Sequence, residues 1–265
     1  MNISDDRDRL FGLPYTRIKY YDAVKVILRA SSESFRKYIF TPNVQHFYNY
    51  KNNPAFRKAY ESAFYSLLDG MPLVWASRLA SGLPTYRVPG SDIFIDLFKS
   101  AMREGLRVYI LGSMPGVAEK AIAKLGYFDK IGIQAFFSSP VINIPIDDLS
   151  NAKICEEINR VQPNILFVAL SCPKQELWIA ENIGLLNVNI SIGIGGSVDF
   201  VAGVQKRAPN WMQKVGLEWF FRLSCDPRRL FYRYFVTNSF FLPFFALACL
   251  KLFSRKINLP NPISL

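Results

Sequence analysis

The residues able to do chemistry in this sequence sit at the ends of five short apolar runs. Run 38–41 leads into Pro42 and Asn43, with Thr41 as its last residue, and run 64–68 leads into Asp69 and Gly70. Run 107–111 leads into Gly112-Ser113-Met114-Pro115-Gly116, and run 165–170 into Ser171-Cys172-Pro173-Lys174-Gln175-Glu176. Run 189–194 leads into Gly195-Gly196-Ser197-Val198-Asp199. Asp69 is the acid to single out. A carboxylate between a buried run and a glycine is either a general base towards a hydroxyl or an N-cap for the next helix. Gly112 to Gly116 combines glycines for close backbone approach with a proline suited to a first helical turn, which favours phosphate. Neither a Walker sequence nor the full Gly-x-Gly-x-x-Gly spacing is present, so a plain strand-to-helix turn accounts for it equally well. Gly195-Gly196 carries the same two readings. Asp92 and Asp199 suit helix caps or ribose hydroxyls.

Other chemistries lack their parts. His46 is the sole histidine; a Ser-His-Asp site or a His-rich metal site would depend on it, and no nucleophile-elbow sequence accompanies it. Its place is the helix after Thr41-Pro42-Asn43, at the border of a cleft. Asp6-Arg7-Asp8 fits the Asp-x-Asp pattern of metal-dependent sugar transferases, but it lies in a polar tail and follows no strand. No metal or other cofactor is therefore expected. Cys155, Cys172, Cys225 and Cys249 are scattered, which suits a reducing compartment and neither a disulfide framework nor zinc. The polar, acidic start Met1-Asn2-Ile3-Ser4-Asp5-Asp6 is unlike a signal peptide.

The elements that must position these residues alternate. Apolar runs at 38–41, 64–68, 107–111, 132–137, 165–170 and 189–194 read as strands covered on both faces. Helical patterns fall at 23–32, 55–63, 72–80, 92–103, 116–125, 151–161 and 174–182. Strand–helix alternation predicts an α/β fold of Rossmann-like class, a mostly parallel sheet with helices on both faces. Ligands of such sheets bind beyond the carboxyl ends of the strands, where the clusters above lie. Strand signals stop near Gly203. Residues 1–203 read as an α/β catalytic domain, 204–256 as a helical appendage broken by Pro209, Pro227 and Pro243, and 257–265 as a tail.

Charge is concentrated in that appendage. The chain carries a formal +11, and ten Lys or Arg between 204 and 256, opposed by Glu218 and Asp226, supply +8 of it. A basic tail on a nearly neutral body calls for an anionic partner. Aromatics from Trp211 to Phe235 interleave with the cations, a pattern shared by nucleic-acid and membrane binders. The stretch 235–250 favours lipid, with a nucleic-acid-binding Rossmann-like protein or a non-catalytic nucleotide-sugar-binding protein as the alternatives: it is strongly apolar and flanked by Arg233 and Lys251, yet short for a span of about 20 residues. A helix lying in the interface of a membrane surface fits better, with a spanning hairpin as the lesser alternative.

Taken in order, further segments carry a resemblance. They are Thr41-Pro42-Asn43, Asp69-Gly70-Met71-Pro72-Leu73-Val74-Trp75-Ala76-Ser77-Arg78, Arg87-Val88-Pro89-Gly90-Ser91-Asp92, Tyr109-Ile110-Leu111-Gly112, Pro115-Gly116-Val117-Ala118-Glu119-Lys120-Ala121, Pro173-Lys174-Gln175-Glu176-Leu177-Trp178-Ile179, Gly193-Ile194-Gly195-Gly196-Ser197-Val198-Asp199-Phe200, Arg207-Ala208-Pro209 and Gly216-Leu217-Glu218-Trp219-Phe220-Phe221-Arg222-Leu223. Over about nine-tenths of its length the chain resembles the WecG/TagA/CpsF family of glycosyltransferases. The resemblance implies an inverting, metal-independent transfer from a UDP-sugar donor to a polyprenyl-diphosphate-linked acceptor, in surface-polysaccharide or wall-polymer assembly. It implies Asp69 as catalytic base with Thr41 and Asn43 beside it, and Gln175 as a donor-sugar contact. Arg222, Arg228, Arg229 and Arg233 are implied as binders of the lipid diphosphate. Arg87, Ser91, Asp92, Gly112, Ser113, Gly195, Gly196 and Arg207 join them as expected substrate-binding positions. The expected location is peripheral, at the cytoplasmic face of the bacterial inner membrane, with cytoplasmic membrane lipids as partners, no nucleic acid, and self-association left open. The chain departs from the family pattern at Ser171-Cys172-Pro173, where relatives have Gly-x-Pro, and it is shorter after Leu125.

Overall fold

The computed structural model describes residues 7–33, 36–142 and 148–256. Its first element is an antiparallel hairpin of β1 (Asp8–Leu10) and β2 (Leu13–Tyr15). The sequence reading places no strand there. Arg7 ties the hairpin down by donating to the carbonyls of Tyr60, Glu61 and Ala63, and Asp8 pairs with Arg17 at 3.0 Å. Asp6 and the tail 257–265 lie outside the described residues.

The expected strands pair into one six-stranded sheet, β3 (Lys37–Phe40), β4 (Tyr65–Ser66), β5 (Val108–Gly112), β6 (Ala135–Ser138), β7 (Ile165–Ala169) and β8 (Ile190–Gly193). Its order is β4-β3-β8-β7-β5-β6, and every pairing is parallel. Run 64–68 contributes just two paired residues, Tyr65 and Ser66; β4 is the sheet's edge strand, paired with β3 on one side and met by the Thr16 N–H, which donates to the Ser66 carbonyl at 2.7 Å, on the other.

Side chains that alternate along each strand feed two separate cores. Ile39, Val108, Ile110, Ile165, Phe167, Ile190 and Ile192 pack under α1 (Tyr20–Ser31), α5 (Gly90–Arg103), α6 (Val117–Lys124) and α9 (Ser197–Ala202). Tyr38, Phe40, Tyr109, Leu111, Leu166 and Val168 face α2 (Val44–Asn52), α3 (Pro54–Glu61), α4 (Met71–Ser81), α7 (Asp148–Val161) and α8 (Lys174–Asn182). The sheet is thus covered on both sides, as continuous apolar strands require.

Three helices complete the chain: α10 (Asn210–Lys214), α11 (Glu218–Cys225) and α12 (Pro227–Lys256). Here the expectation of short broken helices is corrected. Pro227 opens α12, a position where its missing N–H costs nothing, and the helix runs on through Pro243 for 30 residues. Packing overrides the local break. Leu230, Thr237, Phe241 and Ala248 share one buried stripe against α2 and α4, where Phe47 meets Phe240, Phe241 and Phe244. Phe11 of the β1–β2 turn closes on Phe244 from the other side, at 5.5 Å between ring centroids. The opposite stripe of α12, with Phe231, Phe235, Leu242 and Phe253, is exposed. Stretch 235–250 is short for a span by itself, but α12 as a whole is long and apolar enough to cross a membrane by length and composition.

Candidate active site

A cavity of about 270 Å³ opens over the carboxyl ends of β4, β3, β8 and β7. Asp69, Asn43, Gln175, Gly195 and Gly196 form its floor, and Glu218, Trp219, Arg222, Arg229 and Arg233 of α11 and α12 form its roof. The appendage therefore closes the site and is not a separate tail.

Asp69 reaches the cavity because of the glycine after it. A Cβ on Gly70 would sit 3.1 Å from both Cα and Cβ of Asn43, so any side chain there would push the two strand ends apart by a few tenths of an ångström. The backbone N–H of Asp69 donates to the Pro42 carbonyl at 3.0 Å, fixing that approach. The N-cap of α4 is Gly70, with no side-chain cap. Of the two readings of Asp69, the capping one falls away.

Arg87 is the immediate partner of Asp69. Its Nε donates to the Asp69 carbonyl at 2.7 Å, and its Nη2 to Asp69 Oδ1 at 3.2 Å and Glu218 Oε2 at 2.8 Å. Burial lowers the proton affinity of Arg87, but the two carboxylates outweigh that and hold it above its ordinary value. Arg87 thus braces the acid while itself lining the cavity, as expected of a substrate-binding position. Glu218, counted in the sequence only as an opposing charge, supplies the appendage's half of the brace.

A second polar chain runs beneath the floor. Asn43 caps α2, its Oδ1 accepting from Gln45 N–H at 3.0 Å, and His46 completes a reciprocal capping box. His46 Nε2 lies 3.1 Å from Oε1 of Glu176, which is fully buried. Gln175 donates to the same Oε1 at 2.6 Å and accepts from the Gly195 N–H at 2.8 Å. Gln175 is 3% exposed and bonded at both ends, so it shapes the Gly195–Gly196 turn and offers a ligand little beyond one remaining N–H. Cys172 brings its sulfur into this cluster, whose donor atoms lie within 4.8 Å of one another. Burial and the neighbouring Glu176 push its thiol well above its ordinary value.

The cavity attracts anions. The N-termini of α2, α4, α8 and α9 converge on it, each adding a partial positive charge. Arg222 and Arg233 line it without a carboxylate partner among the described ion pairs. Arg222 instead stacks over Phe200 at 5.2 Å, and Arg233 over Tyr234 at 5.1 Å. Arg229 also lines the cavity and pairs with Asp226 at 2.7 Å. Asp199 faces these arginines. Burial raises its pKa and the cations of Arg229 and Arg222 partly offset that rise. A Cβ on Gly196 would fill the space between Asp199 and Arg222, so that glycine keeps it open.

Several expected positions lie elsewhere. Thr41 stands one layer back, its hydroxyl 3.4 Å from the Gly193 carbonyl and against Gly90. Asp92 and Arg207 pair with each other at 2.5 Å, and Ser91 is buried at the start of α5. None of these lines the cavity. Gly112 ends β5, one strand beyond β7, where it packs on Ala169 and Leu170, and Ser113 follows it. Arg228 points outward, exposed on the first turn of α12. The 112–116 segment is a strand-to-helix turn, with Ser113 at φ +64°.

Residues 9–256 match the family model described as glycosyl transferase WecG/TagA/CpsF family. The chain belongs to this family. Similar proteins include one of Bacillus subtilis (strain 168), 33% identical over 63% of this chain and 63% of its own length. Another, from Bacillus spizizenii, is 30% identical over 72% of each chain. A third, from Staphylococcus aureus, is 26% identical over 81% of this chain and 82% of its own. All three bear the name N-acetylglucosaminyldiphosphoundecaprenol N-acetyl-beta-D-mannosaminyltransferase. The chain thus spans just under two thirds of the first of these relatives. Family membership makes it a glycosyltransferase, and the cavity is where the fold places such chemistry. Glu218, Glu176, Gln205 and Trp219 are features of this site that sequence reasoning did not single out. For Glu218, position in the motif Gly216-Leu217-Glu218-Trp219 was the available signal.

Proposed function

We propose that this glycosyltransferase moves a sugar, with inversion, from a UDP-sugar to a saccharide carried on a polyprenyl diphosphate. The observation that carries the reading is the convergence of Asp69 with Arg222, Arg229 and Arg233 on one cavity. An acceptor hydroxyl entering beside Asp69 gives its proton to that carboxylate as its oxygen attacks the anomeric carbon. The bond from that carbon to the UDP oxygen breaks, and its electron pair leaves with the diphosphate. Helix N-termini and the arginines without carboxylate partners hold the departing charge, the task a metal performs elsewhere, so the reading involves no metal or cofactor. The relatives' names make N-acetylmannosamine the first donor sugar to try and N-acetylglucosamine on diphosphoundecaprenol the first acceptor.

The exposed stripe of α12 supports peripheral attachment at the cytoplasmic face of the inner membrane, with Phe231, Phe235, Leu242 and Phe253 among the acyl chains. Membrane lipids and the lipid-linked acceptor are then its partners, and nucleic acid is not. The decisive variant is Asp69→Asn. Its amide oxygen can still accept from Arg87, so the cavity keeps its shape while the base is lost. Turnover falls by about 10²- to 10⁴-fold with UDP binding retained. Near-normal turnover in Asp69→Asn, followed by UDP release with the lipid acceptor present, would remove Asp69 from the mechanism.

A further inference from the structure

The mechanism above makes no use of His46 and Glu176, yet the pair lies buried between the two halves of the cavity floor. We propose that they are positioning residues, which hold the Asn43 amide and the Gly195–Gly196 turn at one fixed separation. Asn43 stands beside Asp69 on the acceptor side, and the glycine turn faces the arginines on the leaving-group side. The proposal deepens the transferase reading, and its kinetic arm rests on it.

The contacts form one unbroken chain from β3 to β8. Asn43 Oδ1 accepts from Gln45 N–H, so its amide nitrogen is the atom left to face the cavity. His46 Nδ1 lies 3.3 Å from the Asn43 backbone nitrogen and 2.9 Å from Oδ1. His46 Nε2 lies 3.1 Å from Glu176 Oε1, joining helices whose residues are 130 positions apart. Glu176 Oε1 takes the Gln175 amide in turn, and Gln175 Oε1 holds the Gly195 N–H. Packing locks the last link. A Cβ on Gly193 would meet Gln175 Nε2 at 2.9 Å, so the amide lies directly on the Gly193 backbone in space that only the absence of a side chain leaves open.

The energetic form of the pair also suits this task. His46 packs against Phe56 and Tyr60, a setting where an apolar residue would be stable without any partner. Glu176 keeps Oε2 buried with no hydrogen-bond partner, which costs stability. A buried polar chain that leaves one oxygen unserved gives up stability for a unique geometry, and the geometry fixed here is that of the cavity floor.

The test uses the full chain and three variants. His46→Phe keeps a ring against Phe56 and Tyr60 and removes both nitrogens. His46→Gln returns a donor near the place of Nε2, and Glu176→Gln removes the charge with little change of shape. Amide exchange read by mass spectrometry on the peptide carrying Gly195 and Gly196 should accelerate about tenfold in His46→Phe and return most of the way in His46→Gln. In the transfer assay, kcat should fall about tenfold or more in His46→Phe, while the KM for the UDP-sugar stays near that of the parent chain. Unchanged exchange at that peptide overturns the proposal, and so does acceleration spread evenly over all peptides. If His46→Phe does not fold, Glu176→Gln is read by the same two criteria. Absence of transfer by the parent chain would sink the transferase reading alone, because the exchange measurement decides the positioning role without it.

Discussion

Replacing Glu218 with Gln separates the appendage's chemical contribution from its role as a roof. The carboxylate lies 2.8 Å from Arg87 Nη2, with the two side chains 21% and 18% exposed, so solvent screens the pair only in part. A hydrogen bond between charged groups contributes about 1.5–3 kcal/mol, and the amide oxygen of Gln retains roughly 1 kcal/mol of it as a neutral acceptor. The difference, about 1–2 kcal/mol, has a direction. Once Glu218 is neutral, the whole Arg87 charge falls on Asp69 and weakens it as a proton acceptor. The expected result is a kcat about 5- to 30-fold lower, since 1.36 kcal/mol is a factor of ten. The KM for the UDP-sugar should be preserved, because Arg222 and Arg233 are untouched. The assay is steady-state transfer from a UDP-sugar to a prenyl-diphosphate acceptor on vesicles, with the melting transition followed in parallel. A parent-like kcat, or a loss confined to KM, would refute the coupling of Glu218 to Asp69 through Arg87.

Two further perturbations test other parts of the structure. Gly193→Ala pushes a methyl group against Gln175, so chemical denaturation should show a loss of about 1–3 kcal/mol together with reduced transfer; unchanged stability would mean the floor is looser than drawn. Phe235→Glu combined with Phe253→Glu changes only the exposed stripe of α12, whereas deleting the helix would also uncover Phe47. Each phenylalanine in lipid contributes roughly 1.5–3 kcal/mol, so flotation with anionic vesicles should drop at least about tenfold at unchanged melting temperature. Flotation equal to that of the parent chain would rule out this stripe as the lipid contact.

Much of the framework was legible because parallel strands buried on both faces leave unmistakable apolar runs. Val108 to Leu111 and Ile165 to Val168 are examples, each feeding alternate side chains to opposite cores. The clusters after those runs marked the cavity floor for the same reason: the fold brings carboxyl ends together whatever their spacing in the chain. Two kinds of feature escaped. Segments whose local chemistry conflicts with their packing were misread, as with the charged strand Asp8–Leu10 or the helix that passes through Pro243. Pairings between distant residues have no local signature. His46 with Glu176 and Arg87 with Glu218 are each joined across about 130 positions, and no period or motif announces either. For the glycine-rich 112–116 segment composition could not choose between a phosphate turn and a plain one, and strand order sets it one place along the sheet from β7, against Ala169 and Leu170 at the cavity's edge.

The buried stripe of α12 has a mechanical consequence. It is clamped to α2 and α4, the same two helices whose first turns present Asn43 and Asp69. A catalyst on a flexible leash could sample many heights above a bilayer, whereas this one is bolted to its own keel. On the peripheral attachment proposed above, the altitude and tilt of the reacting centre would be set by how deep one amphipathic rod, about 45 Å long, settles into the lipid. An acceptor sugar would meet the base only where its lipid stem holds it at that level, so the bilayer itself would serve as the ruler that selects substrates.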